Sequence, residues 1–144
     1  MDERNNELLT KIYQNARMGC DSISYVSEKS KDEDMRESLL EQHRKYSDIA
    51  QDATKLLNES GEPAKDKGPV SKAMIWSSVQ MNTLADKTSD HIAEMMIQGS
   101  MMGVIDMSRN LKRYSDTDKP VLSLGERLIE AEERNIQNMK SYLC

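Results

Sequence analysis

Glu59-Ser60-Gly61-Glu62-Pro63-Ala64-Lys65-Asp66-Lys67-Gly68-Pro69 is the one stretch of this chain that reads as a linker. It holds two of the three Pro and two of the six Gly. Pro fixes φ and withholds a backbone donor, so it bounds helices instead of sitting inside them. Outward from this stretch the chain is almost unpunctuated. On the C-terminal side, Ser115-Asp116-Thr117-Asp118-Lys119-Pro120 puts Asp118 where an N-cap belongs and Pro120 in a first helical turn. Thr88-Ser89-Asp90 is a further start signal. On the N-terminal side, Ser30-Lys31-Asp32-Glu33 reads as a capping box, with Ser30 closing on Glu33. These marks predict four long helices, at about 4–29, 33–59, 89–115 and 119–143, and a shorter one at about 71–86.

Composition agrees. The chain has 144 residues, one domain's length, with no Phe, one Trp, five Tyr and eleven Met. A core drawn from Leu, Ile, Met and Ala favours helices over strands, and the Met content predicts a Met-rich interior. Charged residues make up 31% of the chain and the formal net charge is −5, so no basic stripe offers itself to phosphates and nucleic acid is not expected as a partner. The longest charge-free apolar run, Met95 to Ile105, is eleven residues long, too short for a membrane span. The chain opens Met1-Asp2-Glu3-Arg4-Asn5-Asn6-Glu7, unlike a secretory signal. Cys20 and Cys144 cannot make a disulfide framework or a zinc module. A reducing cytoplasm is the expected compartment.

Apolar spacing then orients the helices. Leu9, Ile12, Ala16, Gly19, Ile23 and Val26 share one face of the first. Met35, Leu39, Gln42, Tyr46, Ile49, Ala53 and Leu56 align on the second, and Gly125, Ile129, Glu132, Ile136, Met139 and Leu143 on the last. These near-heptad seams suit helices crossing at a shallow angle. Residues 89–115 differ: outside a polar sector of Asp90, His91, Glu94, Gln98, Arg109 and Lys112, most of the circumference is apolar. That arc is wider than two neighbours cover. The short helix, with Met74, Ile75, Val79, Met81 and Leu84, is one candidate cover and a second subunit the other. Trp76 and Met81 lie about half a turn apart around the short helix, so both cannot face inward. A homo-oligomer is therefore expected, with Trp76, Met81 and Met101 at the interface.

Short turns make the first pair and the last pair of helices antiparallel neighbours, and the long crossover between them lets the third long helix run parallel to the second. Two antiparallel pairs joined by one long crossover is an all-α, up-down four-helix arrangement of ferritin-like type. The chain accordingly resembles a bacterial ferritin-like family of unknown function, distantly similar to rubrerythrin. The resemblance spans nearly all of residues 1–144, a single domain. It rests on the helix pattern, on Glu62-Pro63 with Gly68-Pro69, and on Trp76 to Ile105. Within that stretch Met81-Asn82-Thr83-Leu84-Ala85-Asp86-Lys87 and His91-Ile92-Ala93-Glu94-Met95-Met96-Ile97-Gln98-Gly99-Ser100-Met101-Met102-Gly103 look like clostridial members.

The resemblance implies a test. Catalytic members of that superfamily hold two metals with a Glu from each of two helices and a Glu-x-x-His motif from each of the other two. Here the inward arc of the first helix has no carboxylate. His43 has Leu40 where the Glu belongs, and Glu132 has Asn135 where the His belongs. Asp106, on the apolar side of its helix, lies ~10 Å along the helices from the His43 and Glu132 level. His43, Asp106 and Glu132 are the remaining candidates for iron or manganese. Against that stands a hydrogen-bonded layer of Gln42, His43 and Glu132, with Asn110 pairing Asp106. No nucleophile elbow, phosphate loop or acid–base pair is visible. The expectation is a non-catalytic structural or interaction module without cofactor. The alternative is a degenerate metal protein related to rubrerythrin that handles iron or peroxide.

Overall fold

The computed structural model describes residues 2–65, 68–83 and 86–144. Over them the chain forms five helices and no strand: α1 (Asp2–Ser27), α2 (Glu33–Glu59), α3 (Pro69–Thr83), α4 (Ser89–Arg113) and α5 (Lys119–Lys140). The fold is all-α. No helix among the described residues is long and apolar enough to cross a membrane.

Helices α2, α4 and α5 start where expected, α1 lies about two residues earlier than expected, and α4 ends two residues early, but a different side chain caps α2. Asp32, not Ser30, caps α2: its backbone is extended and its carboxylate accepts from the Asp34 and Met35 amides at 3.0 and 3.4 Å. A carboxylate also complements the positive end of the helix, which a hydroxyl does not. Ser30 is buried and accepts from the Asp32 amide instead. Thr88 caps α4 through the His91 amide at 3.2 Å. Asp118 occupies the N-cap position of α5 but makes no capping bond, because its carboxylate accepts from Asn5 at 2.8 Å. Helix α5 stops short of residue 143, and the Tyr142 hydroxyl reaches Asp34 at 2.6 Å. Helix α3 opens on Pro69 itself. Its described part ends at Thr83, residues 84 and 85 lie outside the described residues, and Asp86, the expected end, is not helical: its carboxylate accepts from the Thr88 amide at 3.0 Å.

Polar ties at the helix ends set the directions. At one end Ser89 donates to Asp32 at 3.0 Å and the Cys144 amide to Asp90 at 2.8 Å. At the other, Arg4 pairs with Asp116 at 2.9 Å and Ser60 donates to Asn6 at 2.7 Å. So α1 and α5 run one way, and α2 and α4 the other. Helix α1 packs along α2 and α4 along α5, while α2 also meets α5 and α1 also meets α4. Helix α3 rests on α1 and more lightly on α4.

The core is built mainly from Leu, Ile, Val and Ala. The Met-rich interior is not found: Met35, Met96, Met107 and Met139 are buried, but Met74, Met81, Met101 and Met102 are exposed. The seams of α1 and α2 bury nearly as the spacing requires, with Leu57 taking the place of Leu56. On α5 the buried edge is rotated toward Leu124, Leu128 and Asn135, which leaves Ile129 and Ile136 half-buried and Leu143 exposed.

Because Thr88 supplies the only side-chain cap of α4 among the described residues, Thr88→Ala should lower the unfolding free energy by about 1 kcal/mol in urea titration. An unchanged midpoint would show that other contacts hold the start of α4.

Candidate functional site

Three pairs fix how α2 lies against α5 and the turn that follows it: Asp52 with Arg127 at 2.7 Å, Tyr46 with Glu132, and Ser38 with Tyr142 at 2.9 Å. The first and last are toward the surface, and the middle one is inside. There the Tyr46 hydroxyl donates to the Glu132 carboxylate, and the Asn135 amide donates to the Tyr46 oxygen at 3.1 Å. Ser100 of α4 adds a further hydrogen bond to Glu132. Tyr46, Glu132, Asn135 and Ser100 are all buried.

Two glycines make room for this pair. A Cβ on Gly19 of α1 would lie 2.7 Å from the Tyr46 ring. A Cβ on Gly103 of α4 would overlap the Glu132 carboxylate, with the carboxyl carbon only 2.9 Å away. Helices α1 and α4 thus close over the pair from two sides. Gly99, grouped with Gly103 by sequence spacing, is exposed with nothing near it.

Burial pushes the Glu132 carboxyl up to about 7, against the pull of its Tyr46 and Ser100 donors. Burial and the neighbouring Glu132 also raise the Tyr46 phenol, which stays neutral across the physiological range. One turn along α2, Gln42 is 1% exposed and neither of its amide atoms has a partner among the described residues. The α2–α5 register places it opposite the Asn135–Met139 turn, and Asn135 Oδ1 is likewise unpartnered. Among the described residues the interior therefore holds one carboxyl group set among neutral donors, with no buried cation to pair with it.

The sequence-derived metal candidates are not brought together. Asp106 is not on an inward face: it is exposed, accepting from Asn15 at 2.8 Å and Asn110 at 3.4 Å. The apolar arc of α4 is wide enough that its edge reaches the surface there. His43 is half-buried, and its carbonyl accepts from the buried Cys20 thiol at 3.8 Å, while Glu132 pairs with Tyr46. Among the described residues no group of three His, Cys, Asp or Glu could hold a metal ion. The expected Gln42–His43–Glu132 layer is replaced by Tyr46–Glu132–Asn135–Ser100. Tyr46 escaped sequence reading because it sits at an ordinary seam position, and Ser100 because it lies within the apolar run Met95 to Ile105. Trp76, Met81 and Met101 are exposed, at 50%, 78% and 52%.

Glu132 gains its proton more readily in the fold than in the unfolded chain, so the fold is favoured below the ordinary carboxyl value of 4.5 and loses that advantage as pH rises to about 7. Relative to Glu132→Gln, the wild type should lose about 2 kcal/mol of unfolding free energy between pH 5 and pH 8. A pH-independent difference in urea titrations would contradict this. The glycines give a second contrast. Gly99→Ala should stabilise by up to about 1 kcal/mol through helix propensity. Gly103→Ala should destabilise by about 1–3 kcal/mol through the displaced carboxylate. Equal thermal shifts for the two would refute the cradle.

No protein-family model matches the chain, and no curated protein does. Among solved structures it is similar to the crystal structure of a DUF305 fragment from Deinococcus radiodurans, with a TM-score of 0.73 and 14% identity over 96% of this chain and 93% of that one. This corrects the ferritin-like, rubrerythrin-related resemblance, because the neighbour belongs to a different helical family. The short motifs that suggested rubrerythrin sit on helical repeats of Met, Ala, Ile and Gly, which many helical proteins share. What the likeness establishes is a DUF305-like helical fold.

Proposed function

We propose that the chain is a non-catalytic helical module that works by protein contact, through the exposed apolar surface of α4 and α3. One observation carries this reading. Met101, Met102 and Ile105 stand 52%, 69% and 48% exposed in mid-length on α4, on the face opposite its buried Ile92, Met96 and Met107. Large apolar side chains grouped on a surface mark contact sites, and Met adapts readily to a second surface. Trp76, Met74 and Met81 are further exposed apolar side chains, on α3. The interior carboxylate, by contrast, is enclosed by four helices and committed to Tyr46 and Ser100, a structural arrangement more than a reactive one.

In this reading the four long helices act as one up-down bundle, with α3 on the crossover as a side element. It needs no cofactor. A reducing compartment, the cytoplasm, suits the buried Cys20 and exposed Cys144 thiols, both free.

The test places a photocrosslinking amino acid at position 101 in cells, with the exposed position 133 as control. Protein adducts specific to position 101, lost on Trp76→Lys or Ile105→Lys with the helical signal intact, are the expected result. Adducts no stronger than the control would overturn the reading. So would near-stoichiometric iron or manganese in the purified protein that disappears in Glu132→Ala.

A further inference from the structure

The outer face of α4 is arranged with a symmetry of its own. Glu94, Gln98, Met101, Ile105, Arg109 and Lys112 recur at spacings of four and three, so they form one stripe along the helix. All six are exposed. The acid lies toward the N-terminus, the bases toward the C-terminus, and the apolar residues between them. Neither Glu94 nor Arg109 takes part in an ion pair among the described residues.

Such a stripe complements itself when a second copy is laid against it head to tail. With the two-fold axis passing between Met101 and Met102, Met101 meets the partner's Met102, and Gln98 meets the partner's Ile105. Glu94 meets the partner's Arg109, and the same pair recurs at the other end. A parallel pairing would instead set Glu94 against Glu94 and Arg109 against Arg109. Antiparallel packing also opposes the two helix dipoles. An isologous contact of this kind closes at two copies, so it makes dimers and not filaments.

We propose that α4 is a homodimerisation helix, docking antiparallel on the α4 of a second copy through a Met101–Met102–Ile105 centre flanked by two Glu94–Arg109 pairs. The proposal rests on the contact-module reading above and names its partner. Shallow crossing of the two helices, the 3–4 ridge packing of coiled coils, keeps both charged ends in register.

The experiment is sedimentation equilibrium of the full chain at micromolar concentration, with folding followed by circular dichroism. The wild type should be a dimer. Glu94→Arg and Arg109→Glu should each weaken it roughly tenfold, since each change places like charges together twice. The double variant Glu94→Arg/Arg109→Glu should recover most of the wild-type affinity. As a second measurement, Gln98→Cys/Ile105→Cys in a Cys144→Ser background should give a covalent dimer on mild oxidation. A wild type that stays monomeric, or a double variant no tighter than the singles, overturns the proposal. If that monomer still gives position-101 adducts with other proteins, the contact-module reading survives and only the dimer falls. If it gives none, both fall.

Discussion

A glutamate and a tyrosine share the centre of this molecule, and the helices are placed so that they can. Tyr46 projects from α2 and Glu132 from α5, and their hydrogen bond lies midway between the two surface pairs that set the register of these helices. A carboxylate taken out of water must find donors close by or take up a proton. Glu132 does some of each, with Tyr46 and Ser100 as donors and burial lifting its carboxyl toward neutrality. The remaining two helices accommodate the pair by omission. Gly19 and Gly103 carry no side chain where one would strike the Tyr46 ring and the Glu132 carboxylate. One contact thus involves all four long helices.

Such an interior is a source of specificity more than of strength. Aliphatic side chains of similar volume would remove the desolvation cost, and the unpartnered Gln42 amide adds to that cost. An all-aliphatic seam built from near-heptad repeats, however, tolerates sliding by a turn. A tyrosine that must meet a glutamate does not. Polar cost at the centre and end-to-end ties such as Arg4–Asp116 and Tyr142–Asp34 together select one register.

The helices and most of the core were legible in the sequence because they depend on information within single segments. Pro63, Pro69 and Pro120 mark boundaries, and apolar spacing marks faces. Glu132 was legible as a buried acid for the same reason. Its partnership was not, since a wheel drawn for α2 shows Tyr46 only as one more seam residue. Which seam residue of one helix meets which of another depends on rotation and axial shift, and those are settled by packing. Asp106 shows the same limit in reverse: an arc of apolar residues too wide for the interior made an exposed acid look inward-facing. The short motifs that suggested rubrerythrin failed for a further reason, that small and flexible residues at helical spacing serve many helical folds alike.

The crossover has a mechanical corollary. By carrying the chain from one end of the helices back to the other, it leaves Arg4 beside Asp116 at one pole and Cys144 beside Asp90 at the opposite pole. Tension applied between those two points runs parallel to the helix axes. The interhelical contacts then resist together, in shear, instead of parting one after another as in a zipper.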